Sequence, residues 1–397
     1  MPCFEPFAGL RHALSHISAL SDVVCPPYDV ISESQRSDLL ARSPANMVRV
    51  ELPTGPDAYR GAAALLDAWR DGGVLVREQA PAFYGHRMSF RDQTGVTRTS
   101  VGVIGALGLE PPGSGILPHE ETTPKARSDR LELLRATRTN LSPIWVLTPT
   151  TGLAELADAP LHPLAHATDE LGARHELWPI TDAERIAAIS ALIGRQPVLV
   201  ADGHHRFETA LNYQAEIRSS AGPATGDHDA VMALVVELAA DQLSVQAIHR
   251  LINSLPTDFD LIDALRPYFD LSPTPPPDST ILARMVDAGA LAVLTSAGSW
   301  LARPNRAVVD AAVHDLDSSR LDVALAALPA HNVTFQHGWD NATAAVAGGH
   351  VQAGLLLRPA TVEGIAEVAR GGVRMPPKTT FFSPKPRTGM VIRDLMD

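Results

Sequence analysis

Cysteine is nearly missing from this chain. With only Cys3 and Cys25 in 397 residues, no disulfide framework is expected, and the fold must rest on its apolar core. Long hydrophobic runs are missing too. None approaches the roughly 18 residues of a membrane span, so no membrane partner is expected. Basic residues are not in excess: 33 Lys and Arg stand against 45 Asp and Glu, a formal net charge of −12. That balance disfavours broad DNA binding, whose affinity comes from Lys and Arg neutralising phosphates. The opening MPCFEPFAGLRHALSH carries an acid early and lacks a basic segment followed by an apolar core. No signal peptide is expected, and the expected location is cytoplasmic. There is no internal repeat and no low-complexity segment.

What is present is an ordinary globular composition, 45% hydrophobic and 20% charged, with 32 prolines that mostly punctuate loops. The length suggests two or three domains. Residues 1–100 alternate short apolar runs with turns and read as an α+β region. It holds a helix over about Ser34 to Arg42, strand-like alternation in NMVRVELP, and a helical AYRGAAALLDAWRDGGVL that stops at Gly72 and Gly73. Residues 101–255 follow a hairpin with a charged helix, a buried strand and the run VLVADGHHRFETAL. A third region, 256–397, holds the linker-like SPTPPPDST at Ser272 to Thr280, a strand, a helix and a basic tail, VRMPPKTTFFSPKPRTGMVIRDLMD. The expected class is therefore α/β (α+β).

Chemistry concentrates in four places. A strand that ends in a glycine turn and opens a helix gathers free backbone N–H groups and the positive end of the helix dipole, which suits a phosphate or carboxylate. In DGHHR, Gly203 lets the backbone approach a ligand, Arg206 offers bidentate hydrogen bonds, and Thr209 lies one turn further on. Asp202 could hold a histidine tautomer, meet a substrate amine or ligate Mg²⁺. Zinc is the competing reading for Asp202, His204 and His205, but adjacent histidines do not converge as an i, i+4 pair does. In a purely structural alternative, Asp202 is a helix N-cap in a polar turn.

The second place is LPHEETTPKARSDR. There Glu120 and Glu121 are possible general bases and Lys125, Arg127 and Arg130 supply positive charge; a solvated charged face explains it as well. The third is MPPKTTFFSPK, where Lys378 with Thr379 and Thr380 could clamp a phosphate from a proline-stiffened loop. The fourth, CPPYDVI, presents Tyr28 and Asp29 from a stiff turn beside a thiol, Cys25.

The ordered segments PFAGLR, PPYDVIS, NMVRVELP, HEETTPKARSDR, ADGHHRFETAL, HRLI and RMPPKTTFFSPK resemble the domain-of-unknown-function family 1015, a name that conveys no reaction. From about residue 117 onward the chain is also similar to the free-serine kinases of the ParB/sulfiredoxin superfamily. The likeness lies in PHE at Pro118 to Glu120, VADGHHR at Val200 to Arg206 and PKTT at Pro377 to Thr380.

That resemblance implies a ParB/sulfiredoxin-like nucleotide-binding core with an N-terminal α+β extension and a C-terminal α/β domain. It implies phosphoryl transfer from ADP to serine, with Glu120 as general base. Asp202, His204, His205 and Arg206 would lie at the substrate and phosphate site, with His119 as an accessory. The expectation is a phosphotransferase or phosphatase acting on a small hydroxylated metabolite, serine or O-phosphoserine first, with ADP or ATP as nucleotide and Mg²⁺ beside it. A ParB-like CTP or DNA binder and a metal-dependent hydrolase are the alternatives. The hundred N-terminal residues depart from the kinase pattern, as do the longer spacings between motifs.

Overall fold

Val198 to Ala201 are all buried, which is why that run is continuously apolar: its strand, Val198–Asp202, is covered on both faces. The computed structural model describes residues 1–397 apart from 94, 112, 119–123, 158, 159, 161, 162, 223, 224, 371–374, 376, 377, 396 and 397. The chain divides into two compact units, residues 1–244 with 382–397, and residues 245–381.

In the first unit Val198–Asp202 belongs to a nine-stranded mixed sheet. The path runs Ile116–Pro118, Val198–Asp202, Ile144–Thr148, Ala230–Glu237, Thr97–Gly108, Phe83–Arg91, Arg174–Ile180 and Ala165–Thr168, and Phe4–Glu5 pairs with Thr97–Gly108 off that path. The register places Val146, Val235, Val103, Gly85 and Trp178 in one row across the sheet. Val200, Val146, Val235 and Val103 share a core with Phe207 and Ala210 of the helix His204–Ala221 and Ile189 and Ile193 of the helix Ala183–Ile193. Gly85 is needed in this row because a Cβ there would lie 2.1 Å from the Trp178 indole.

The first hundred residues are not a separate body. The hairpin Phe83–Arg91 and Thr97–Gly108 is the middle of the sheet, and the segment from Phe382 returns to pair with the N-terminal region. Cys25 and Thr388 exchange backbone hydrogen bonds, as do Leu10 and Ile392, so each piece satisfies the other's polar backbone.

NMVRVELP also differs from the strand-like reading: Val48–Glu51 is a helical turn. The Asn46 carboxamide oxygen accepts from the Val48 N–H at 2.9 Å, and its NH₂ donates to the Asp22 carbonyl at 2.7 Å. A buried side chain thus supplies the hydrogen bond that nucleates the turn, and burial of Val48 and Val50 overrides their β-propensity.

The second unit is built on a seven-stranded sheet with the path Phe269–Thr274, Gly298–Pro304, Leu291–Thr295, Ala353–Leu356, Val245–Asn253 and Asn332–His337; Thr380–Phe382 pairs with Val245–Asn253. The first third of the expected linker Ser272 to Thr280 is strand here, ending at Thr274, with Pro273 opposite Trp300. That strand ends the path, and an edge is where a residue with no N–H is tolerated. Among the described residues, no helix is long and apolar enough to cross a membrane.

Candidate anion-binding site

The expected strand, turn and helix form as read: strand Val198–Asp202, Gly203 at φ 89°, then helix His204–Ala221. A bulge precedes the turn. Val200 pairs with Val146 and Asp202 with Trp145, so Ala201 is the extra residue that re-aims the end of the strand. Gly203, not Asp202, is the N-cap residue. The left-handed backbone there is glycine's own territory, and a Cβ would sit 3.0 Å from Ile144 and 3.1 Å from the Arg206 guanidinium.

Asp202 instead gathers cations. Arg206, one turn along the helix, donates from Nη2 to Asp202 Oδ2 at 2.7 Å, while the Lys385 ammonium pairs with Asp202 Oδ1. Lys385 also reaches Asp29 Oδ2 at 3.4 Å, and its side chain is only 8% exposed. Burial alone would lower the Lys385 pKa; the Asp202 and Asp29 carboxylates outweigh it and hold the ammonium above the ordinary lysine range. Arg206 Nη1 is fixed by donating to Ser142 Oγ at 2.9 Å and the Pro143 carbonyl at 2.6 Å.

Beside this lies a second charged group. The Arg130 guanidinium stands 4.3 Å over the Tyr28 ring and donates to the Glu51 backbone carbonyl at 2.8 Å. Asp129 accepts from Arg130 Nε at 2.8 Å and from the Tyr59 hydroxyl, also at 2.8 Å. The Glu51 carboxylate accepts from the Tyr28 N–H at 3.3 Å. Burial raises the Glu51 carboxyl above its ordinary range, against the pull of Arg130 and Arg206. Burial likewise raises the Tyr28 phenol, with Asp29 adding to it.

Of the residues singled out from sequence, Tyr28, Asp29, Arg130, Asp202 and Arg206 thus belong to linked charge clusters in the first unit, with Gly203 at the turn between Asp202 and the helix. His204 is buried at the first helical position, His205 is half-buried, and Thr209 is buried one turn on. His119, Glu120 and Glu121 lie outside the described residues; Lys125 falls in the helix Pro124–Thr137. Lys378, Thr379 and Thr380 belong to the second unit, where the Lys378 carbonyl accepts from Arg250 and the Thr379 hydroxyl bonds Ser318 at 3.1 Å.

The lysine that meets Asp202 is therefore Lys385. It lies seven positions beyond Lys378 in the same proline-rich motif, where the repeated Pro-Lys was the available signal. Glu51 had no such signal, because NMVRVELP reads as a strand.

Among the described residues, no three His, Cys, Asp or Glu side chains come together to hold a metal ion. For Mg²⁺ the fit at this turn is poor. Both Asp202 oxygens already hold cations, and Asp29 shares Lys385.

The fold and this cluster define an α/β protein whose mixed sheet leads through a glycine turn into a helix, with Lys385 and Arg206 paired to Asp202 at that turn. The chain belongs to the family described as protein of unknown function (DUF1015), whose model matches residues 4–323. No curated protein matches it.

Among solved structures, a conserved hypothetical protein from Pyrococcus furiosus aligns at TM-score 0.36 and 10% identity, over 69% of this chain and 90% of its own. A free serine kinase in complex with AMP aligns at TM-score 0.37 and 12% identity, over 70% of this chain and 89% of its own. SbnI from Staphylococcus aureus, with a C-terminal truncation, aligns at TM-score 0.38 and 13% identity, over 72% and 87%. Likenesses this loose carry no argument about activity.

Proposed function

We propose that this protein binds a phosphate-bearing small molecule, with ADP or ATP the first candidates, at the N-terminus of the helix His204–Ala221, and transfers its terminal phosphoryl group to a small hydroxylated metabolite or to water. One observation carries the reading: Lys385 and Arg206 meet at Asp202 beside a helix terminus whose first backbone N–H groups follow a glycine turn. An incoming phosphate finds two cations already oriented, so catalysis rests on positioning and charge neutralisation.

Asp202 acts here as a positioning residue, holding Lys385 and Arg206 until the phosphate takes over part of their charge. In the transfer, the acceptor oxygen attacks the terminal phosphorus, the bond from that phosphorus to the departing phosphate breaks, and the hydroxyl proton passes to a base. By resemblance to the serine kinases that base is Glu120, and the acceptor is serine, with O-phosphoserine as product. His204 and His205 line the same turn. With water as acceptor to a phosphorylated metabolite, the same arrangement makes a phosphatase.

The test is incubation of the whole protein with ADP, ATP or pyrophosphate plus L-serine, and separately with O-phosphoserine, followed by ³¹P NMR. Phosphoryl transfer or phosphate release in at least one mixture, lost in Lys385→Met, is the expected result. No turnover in any mixture, together with nucleotide affinity unchanged by Lys385→Met, overturns the reading.

A further inference from the structure

A cavity of about 60 Å³ lies beside the α-helix terminus, lined by Glu51, Arg130, Asn140, Ser142, Arg206 and Thr209 among others. Two buried polar atoms on its lining residues, Thr209 Oγ1 and Arg206 Nε, have no hydrogen-bond partner among the described residues. Thr209 is only 3% exposed. A buried donor left without a partner loses its hydration with nothing in return, so two at one cavity point to something that satisfies them.

Both atoms donate. Arg130 lines the same space, and burial raises the Glu51 carboxyl above its ordinary range, which favours sharing a proton with an incoming carboxylate over repelling it. Donors on several sides suit a group that only accepts, a carboxylate or a phosphate. The enclosed space takes roughly four waters, or a carboxylate with the carbon that bears it.

We infer that this cavity is the subsite for the carboxylate end of a small hydroxylated acid, and that Glu51 and Thr209 set its selectivity. This rests on the proposed function, since it places the acceptor beside the phosphate turn at Asp202 and Arg206. Glu51 reaches the cavity because Asn46 folds NMVRVELP into a helical turn. The N-terminal region thereby takes part in choosing the acceptor.

The experiment is calorimetric titration of the whole protein with D-glycerate, L-serine, glycerol, inorganic phosphate and ADP, repeated on Glu51→Leu and Thr209→Val. Melting temperatures confirm that each variant folds. The wild type is expected to bind D-glycerate or L-serine at least tenfold more tightly than glycerol, and each folded variant to lose tenfold or more of that affinity. If one variant fails to fold, the other and the wild-type series decide.

Equal affinity for glycerol and glycerate overturns the subsite, as does acid binding that neither variant changes. Preference for inorganic phosphate that Thr209→Val weakens assigns the cavity to phosphate and overturns the carboxylate assignment. ADP binding without any acid binding overturns the subsite and leaves the phosphate reading standing. Acid binding without ADP or phosphate binding does the reverse.

Discussion

Lys385 and Asp202 form an ion pair across 183 positions of sequence, and Arg206 holds the other oxygen of the same carboxylate. The pair brings the C-terminal segment to the sheet end. Lys385→Met would leave Asp202 and Asp29 with one cation fewer in a place where water cannot fully replace it. Breaking such a pair by removing one partner costs about 3–5 kcal/mol. Urea denaturation should show a loss of that order, and calorimetry should show ADP binding at least tenfold weaker. A variant as stable as the wild type would show that the ion pair is idle.

Gly203 carries the backbone conformation on which the turn depends. Gly203→Ala places a side chain at φ 89° and brings its Cβ against Ile144 and Arg206. The strain is worth about 1–3 kcal/mol, and relief requires Arg206 to move away from Asp202. The expected outcome is a lower urea midpoint together with weaker phosphate binding. Unchanged values for both would mean the turn tolerates a side chain and the glycine is incidental.

How far the sequence announced all this depended on whether the deciding interaction was local. A β-branched run, a glycine and a helical period lie next to one another between Val198 and Leu211, so strand, turn and helix were readable there. Glu51 was not, because its helical turn is set by Asn46 donating to the Asp22 carbonyl, a contact across 24 residues. Lys385 was visible only as one of two lysines in a basic tail. Which lysine meets Asp202 depends on the chain returning to the first unit at Phe382. Pro273 was misleading in the other direction, since the run of prolines hides an edge strand.

Acid should weaken the first unit through its buried histidines. His12 is pushed down to about 4 and His86 to about 3, in both cases first by burial, with the His175 ring 5.7 Å from His86 adding to the latter. These folded-state values lie below the unfolded value of 6.5, so the unfolded chain binds more protons as the pH falls past it. Their contribution to stability is whole above about pH 6.5 and shrinks at about 1.4 kcal/mol per histidine per pH unit below it. Glu51, raised by burial, works in the opposite direction but is one group against two. Urea midpoints should therefore be lower at pH 5.5 than at pH 7.5, and equal midpoints would mean these rings already accept protons in the native state.

The two thiols should separate cleanly. Cys25 is fully buried, and burial, reinforced by Glu51, pushes its thiol well above the ordinary range. Cys3 is exposed and shifted upward more mildly, by partial burial and by Glu5. Alkylation needs both access and thiolate, so iodoacetamide at pH 8.5 should modify Cys3 in the native protein and reach Cys25 only after urea is added, as peptide mass mapping would resolve. Because Cys25 and Thr388 exchange backbone hydrogen bonds, modification of Cys25 also reports opening of the C-terminal segment that carries Lys385. Lys385→Met should accordingly speed Cys25 labelling relative to the wild type while leaving the Cys3 rate unchanged. Cys25 reacting in the native wild type as fast as Cys3 would make the CPPYDV turn a reactive-thiol site, rather than the stiff support that presents Tyr28 and Asp29.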